Sequence, residues 1–67
     1  MRYAYVVDRA IKDDIVASGG YVVSAFIDVN QNNIWVLNIM GSTINFSEEP
    51  YSSKCKLSDS CALLFKS

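Results

Sequence analysis

A stretch of 27 residues with a single formal charge constrains the fold of this chain more than any other feature of its sequence. Residues 21–47 carry only Asp28 as a charged residue, and β-branched or aromatic side chains fill many of the other positions. Such a segment is typical of the central strands of a sheet, whose side chains need cover on both faces. The remaining 40 of the 67 residues must supply that cover, and we expect them to leave some apolar surface open.

The length of the chain predicts one domain over residues 1–67. A chain of this size buries only about 60% of the surface of its unfolded form, so disulfides, metals or association with another chain commonly stabilise it. Histidine is absent and there are only two cysteines, so we expect no metal site and no cofactor. Association with another protein, or with a second copy of the chain, is the remaining means of stabilisation.

The first part of the chain predicts a strand followed by a short helix. Residues 3–7 are rich in β-forming side chains, whereas residues 9–17 place Ile11 and Ile15 on one side of a helix. Asp8 is a suitable N-cap for a helix that begins at the next residue. The same apolar stripe extends upstream, so a helix that begins at residue 3 is the alternative.

The neutral stretch predicts a β-hairpin. Residues 21–29 and 34–40 form its two strands, joined by an asparagine-rich turn at residues 30–33. Trp35, Leu37 and Ile39 would share one face of the second strand, because successive side chains of a strand alternate. A third antiparallel strand is expected at residues 43–46.

The C-terminal part of the chain predicts a loop and a second hairpin. Pro50 excludes a central strand within residues 47–53. Beyond this loop, Cys55 and Leu57 would share one face with Cys61, Leu63 and Phe65 if residues 58–60 form a turn. A short helix over residues 59–65 is the alternative.

These elements predict an α+β domain. Its small antiparallel sheet of three to five strands is built from hairpins, and one short amphipathic helix packs on one face. We expect that face to be covered by Val7, Ile11 and Ile15. The opposite face is expected to lack cover, and its members are Phe26, Val36 and Met40, or the alternative set that includes Trp35.

No residue pattern in this sequence predicts catalysis. Without histidine, no Ser-His or Cys-His nucleophile can form. The acidic pairs at residues 13–14 and 48–49 are adjacent, whereas carboxylates in acid–base catalysis are held apart in different environments. Residues 28–32 resemble the first half of a calcium loop, but the glycine and the closing glutamate are missing, so a polar turn is expected. We therefore expect that the chain is not an enzyme.

The two cysteines are six residues apart, which is not the spacing of a zinc or redox motif. We expect Cys55 and Cys61 to be buried thiols, with a disulfide as the alternative in an oxidised sample.

These exclusions favour a small protein-binding module. We expect an inhibitor or accessory protein that occludes a site on a larger cytoplasmic partner, by compositional analogy with accessory proteins of phages and mobile elements. A homo-oligomeric structural module, such as a homodimer, and a weak nucleic-acid binder are the alternatives. The formal charge of −1 disfavours nucleic acid as a partner, and no apolar run is long enough to cross a membrane. No secretory signal is recognisable at the N-terminus, so cytoplasm is the expected location.

Eight residues are predicted to contact the partner. Aromatic side chains concentrate binding energy at protein interfaces, and the asparagines would lie at an exposed hairpin tip. The set is Tyr3, Tyr5, Tyr21, Asn30, Asn32, Asn33, Trp35 and Tyr51. We expect Trp35→Ala to unfold the domain and Tyr51→Ala to spare the fold.

Overall fold

The computed structural model describes residues 2–59, which form one four-stranded antiparallel sheet with a helix packed on one face. The predicted fold class is confirmed. In chain order the elements are β1 (Tyr3–Val6), α1 (Arg9–Ala17), β2 (Tyr21–Ile27), β3 (Asn33–Asn38), α2 (Tyr51–Lys54) and β4 (Cys55–Ser58). The strands are arranged β2-β3-β1-β4, so β1 lies inside the sheet and β2 and β4 form its edges.

Helix α1 begins and ends where the sequence indicates. The Asp8 carboxylate accepts hydrogen bonds from the backbone N–H groups of Ala10, at 2.8 Å, and Ile11, at 3.4 Å. These bonds satisfy two of the N–H groups that have no partner within a helix. After the helix, Gly19 has φ 111°, a left-handed conformation in which a side chain would be strained. The strand-then-helix prediction is correct, and the alternative helix from residue 3 is wrong.

The main core lies between α1 and the face of the sheet that we call the helix face. Aliphatic side chains from the helix and from alternating strand positions fill it, and this alternation is the expected property of a half-covered sheet. The buried members are Ala4, Val6, Ile11, Ile15, Leu37, Ile39 and Cys55. Ile44, Phe46 and Tyr51 from the later part of the chain pack against the same core.

The predicted third strand at residues 43–46 is wrong. This segment belongs to an irregular connection between β3 and α2, and Ile44 and Phe46 pack against the core instead of pairing with the hairpin. The connection is tied to the end of α1, because the N–H of Thr43 donates to the C=O of Ser18 at 3.1 Å. β3 also ends at Asn38, two residues before the predicted end of that strand.

One member of the predicted cover is misplaced, and one strand departs from regular alternation. Val7 does not cover the helix face, because it lies between β1 and the N-cap and is 59% exposed. The pairing of β2 with β3 shifts between Val22 and Ser24, which leaves Val23 as a bulge. A bulge reverses the alternation of side chains, so Tyr21 shares a face with Ser24 and Phe26 rather than with Ala25.

The C-terminal segment contains one more strand, β4, which pairs with β1. Cys55 lies opposite Val6 and Leu57 lies opposite Ala4, so the two residues share one face, as predicted, and that face is the helix face. The predicted loop at residues 47–53 is interrupted by the short helix α2, which follows the cis peptide bond between Glu49 and Pro50. The predicted second half of the hairpin and its helical alternative lie outside the described residues.

Neither helix within residues 2–59 has the length and apolar character that a membrane span requires.

Candidate functional site

The side of the sheet opposite α1 is the candidate site, and we call it the open face. α1, α2 and the connection after β3 place their buried side chains in the core on the helix face. Within residues 2–59, therefore, no helix packs on the other side. The register assigns ten strand residues to the open face. They are Tyr3, Tyr5, Tyr21, Ser24, Phe26, Ile34, Val36, Asn38, Lys56 and Ser58.

Val36 is the centre of the open face. Its side chain is fully buried, yet it does not belong to the core cluster under α1. In the register, Val36 lies opposite Tyr5 on β1 and Ser24 on β2. Side chains in such neighbouring positions are about 5 Å apart at their Cβ atoms, so flanking residues can cover a small β-branched residue. The open face therefore contains a buried apolar side chain that is not part of the core under α1.

Three of the predicted partner-binding tyrosines lie on this face. Tyr3 and Tyr21 flank Asn38 in one row of the sheet, and Tyr5 lies in the next row. Tyr3 and Tyr5 are half-buried, whereas Tyr21, on the edge strand, is 59% exposed. Tyrosine combines a large apolar ring with a polar hydroxyl, which suits a surface that is exposed in one state and covered in another.

Lys56 is the only formally charged residue among the ten strand residues of the open face. It lies on β4 opposite Tyr5 and is exposed. The face is thus apolar and aromatic in its middle, with a positive charge towards one edge.

Trp35, another predicted site residue, lies on the helix face instead. It is opposite Val6 in the sheet and is packed, half-buried, against the core. The Nζ atom of Lys12 on α1 is 5.4 Å from the centroid of its ring, a cation–π distance. The structure therefore separates Trp35 from the tyrosines of the open face.

Tyr51 also lies away from the open face. Its ring packs against the core and meets Phe46 edge-on, with 6.0 Å between ring centroids and 68° between planes. Its hydroxyl donates to the Asp14 carboxylate over 3.4 Å. Burial and, secondarily, the charge of Asp14 raise the pKa of the Tyr51 phenol above its ordinary value. These contacts join α2 to α1, which is a structural role.

The three predicted asparagines are exposed at the tip of the β2–β3 hairpin. The Asp28 carboxylate holds the tip, because it accepts the backbone N–H groups of Asn30, at 2.8 Å, and Asn32, at 2.9 Å. The left-handed residue of the turn is Gln31, with φ 64°, rather than an asparagine. The tip is about 20 Å from the Tyr21 end of the hairpin, at roughly 3.3 Å per residue along a strand. The asparagines and the tyrosines therefore do not form one compact site.

Elsewhere, several polar groups of the described part of the chain form local contacts. The Glu49 carboxylate accepts hydrogen bonds from the hydroxyls of Ser53 and Ser52, which lower its pKa. Burial raises the pKa of the Cys55 thiol, so the thiol stays protonated at neutral pH. Within residues 2–59 no three histidine, cysteine or acidic side chains come together as a metal-binding group would.

A shallow cavity of about 160 Å³ lies at the hairpin end of β2 and β3. Ligand sites for drug-sized molecules commonly have volumes of about 300–1,000 Å³, so this cavity is small for such a ligand. Its lining residues are Ala25, Phe26, Ile27, Asn33, Ile34 and Trp35.

Five of the ten strand residues of the open face were absent from the predicted site, and Phe26 and Val36 were predicted only as members of an uncovered face. The five are Ser24, Ile34, Asn38, Lys56 and Ser58. The alternation of side chains along β3 follows from the sequence, and it places Ile34 on the same face as Val36. The insertion of β1 between β3 and β4 could not be predicted from local patterns, because its paired residues are 29 to 55 positions apart in the chain. That pairing places Tyr5 beside Val36, Tyr3 in the adjoining row of the sheet, and Lys56 on the far side of Tyr5.

Comparisons with protein-family models, with curated proteins and with solved structures find no significant match for this chain.

Proposed function

We propose that this chain is a small non-catalytic module that binds a larger protein through the open face of its sheet. The observation that carries the proposal is the contrast between the two faces. One face is packed under α1, and the other presents Tyr3, Tyr5, Tyr21 and Phe26 around the buried Val36. Contiguous exposed apolar patches on small proteins commonly mark interaction sites, and tyrosines contribute strongly to their binding energy.

The charge distribution narrows the kind of partner. Lys56 is the one formal charge at the strand positions of the open face, so the complementary surface is apolar with an acidic residue near the β4 edge. Single-stranded nucleic acid also stacks on aromatic rings of a sheet, but it needs several basic groups for its phosphates. One lysine on this face favours a protein partner over nucleic acid.

Occlusion is the simplest action for such a module. A protein that covers a site on a larger partner acts by binding alone and needs no catalytic group. We therefore propose an inhibitor or accessory protein, of the type that phages and mobile elements encode, acting in the cytoplasm. The free thiol of Cys55 is compatible with a reducing compartment.

The test is affinity capture from host lysates with three versions of the chain. Tyr21→Arg adds a charge to the open face, and Val16→Arg adds the same charge to an exposed position of α1. We expect a protein captured by the wild type to be retained by Val16→Arg and lost with Tyr21→Arg. Circular dichroism should show the same folded signal for all three versions.

Capture that Tyr21→Arg leaves intact and Val16→Arg abolishes would move the interface to the helix and contradict the proposal. Capture of nothing from a wide range of hosts would also count against it. If the captured material is nucleic acid, its binding should fall steeply with added salt. Weak nucleic-acid binding would then replace protein binding as the function.

A further inference from the structure

The two edges of the sheet differ in length and in charge. β4 has four residues, includes Lys56 and follows Lys54. Short, lysine-bearing edges resist pairing with another strand, since like charges would meet across the new ladder. β2 has seven residues without a formal charge, and Tyr21 and Ile27 at its two ends are among the exposed large apolar residues. The described β4 edge is therefore short and charged, whereas β2 is interrupted only near its start, by the bulge at Val23, and its later part carries no charge.

The backbone of β2 is regular after its bulge. The N–H of Asp28 donates to the C=O of Asn32 at 3.1 Å, which fixes the phase of the ladder with β3. In an antiparallel pair, successive residues direct their backbone groups alternately towards and away from the neighbour. Ser24 and Phe26 therefore bond to β3, and the N–H and C=O groups of Ala25 and Ile27 point outward from the sheet.

We propose that β2 pairs antiparallel with the β2 strand of a second copy of this chain, about a twofold axis beside Phe26. In this register Ala25 lies opposite Ile27 of the second copy, and the reverse pair is identical by symmetry. The two pairs exchange about four backbone hydrogen bonds. The product is a continuous eight-stranded antiparallel sheet, with both open faces on the same side. This pairing is independent of the function proposed for the open face.

The side chains of β2 complement one another in this register. Ala25 is small, and the shallow cavity beside it, of about 160 Å³, is lined also by Ile27 and Trp35. Ile27 is 65% exposed within one chain, and in the pair it lies against Ala25 of the second copy, next to this cavity. On the open face the two Phe26 side chains are direct neighbours across the axis, where Cα atoms are about 4.5 Å apart.

Charge also selects this register. Asp28 lies opposite Ser24 of the second copy, so the two Asp28 residues are about 13 Å apart along the strands. That separation exceeds the screening length of about 8 Å at physiological salt, so their repulsion is weak. An axis beside Ala25 would bring the bulge at Val23 opposite Ile27. An axis beside Ile27 would run into the hairpin tip that Asp28 holds.

Sedimentation equilibrium over micromolar to millimolar concentrations tests the pairing. We expect the wild type to approach twice the monomer mass as concentration rises. Ile27→Lys should weaken association by about tenfold or more, because two lysines would then enter the paired edge. Val29→Lys is the matched control, since Val29 is 97% exposed just beyond the strand and should keep the wild-type association.

Oxidative cross-linking tests the register. Phe26→Cys should form an intermolecular disulfide readily, because Cα atoms across the axis fall within the range that a disulfide bridges. Ser24→Cys, on the same face, should not, because the two Ser24 positions are about 13 Å apart in this register. The native cysteines are present in both variants, so they give the same background.

Three results would overturn the proposal: a monomer at every concentration, a dimer that Ile27→Lys leaves unchanged, or disulfides that form equally with Ser24→Cys and Phe26→Cys. Circular dichroism of each variant establishes whether it is folded. If Ile27→Lys does not fold, the comparison of Phe26→Cys with Ser24→Cys still decides the register.

Discussion

The two faces of the sheet are built from the same strands but bury their side chains in different ways. On the helix face, Ala4, Val6 and Leu37 are fully buried and belong to the core that α1 covers. On the open face Val36 is equally buried, but it lies outside that core and opposite Tyr5 and Ser24 in the sheet. Contact with α1 therefore stabilises the helix face, whereas within residues 2–59 Tyr3, Tyr5 and Tyr21 lie on the face without a helix. Substitutions at matched positions on the two faces can separate these roles.

The largest effect is expected for Leu37→Ala. Leu37 is fully buried in the core under α1, and loss of its side chain removes apolar contacts and leaves a cavity. We expect a loss of about 2–5 kcal/mol in the free energy of unfolding, most of the stability of a domain this small. Urea unfolding followed by circular dichroism measures it. Val36→Ala is the matched substitution on the open face and should lose only about 1–2 kcal/mol, because fewer atoms are removed. Equal losses would mean that the open face is as tightly packed as the core.

Trp35→Ala should destabilise the domain by about 2–3 kcal/mol. The ring is half-buried on the helix face and lies under Lys12, so the loss is smaller than for a fully buried tryptophan. The shift in urea midpoint measures it, and Lys12→Met is a control that removes only the cation. If Trp35→Ala instead left stability unchanged, the helix face would not depend on this ring.

Tyr51→Ala should leave a folded domain that is weaker by about 1–2 kcal/mol. The ring packs against the core and Phe46, whereas its hydroxyl forms one exposed hydrogen bond to Asp14. Thermal unfolding measures the loss, and Tyr51→Phe should retain most of the stability because it keeps the ring. Complete unfolding of Tyr51→Ala would mean that the Tyr51 ring contributes more to the core than its half-buried position implies.

The smallest expected effect is a dependence of stability on pH through Cys55 on the helix face. Burial raises the pKa of this thiol above the ordinary value of 9.0, so the folded chain keeps a proton that the unfolded chain releases in base. The stability that this retained proton contributes is fully present below about pH 9, and it is lost as the pH rises through the folded-state pKa of the thiol. Unfolding free energies measured from pH 7 to 10 should fall in the alkaline range, and Cys55→Ala should remove part of that slope. If the slope of stability against pH is the same in the wild type and in Cys55→Ala, groups other than Cys55 cause it.

Local signals in the sequence predicted the helix and the hairpin well. The Asp8 cap and the spacing of Ile11 and Ile15 specify α1, and the neutral stretch specifies β2 and β3. The site was predicted less well, because its residues come from three separate parts of the chain. Tyr3, Tyr5 and Tyr21 lie on the open face, whereas Trp35 and Tyr51 pack against the core on the helix face. The asparagines lie at a distant hairpin tip.

The sequence by itself determined the fold class and the boundaries of α1. These properties follow from periodicity, capping and composition, which act over a few residues. Only the tertiary structure decided that β1 is inserted beside β3 and that residues 43–46 pack against the core without forming a strand. It also decided which aromatic side chains lie on the open face. Such choices depend on contacts between distant segments, and a bulge of one residue at Val23 is enough to exchange the faces of β2.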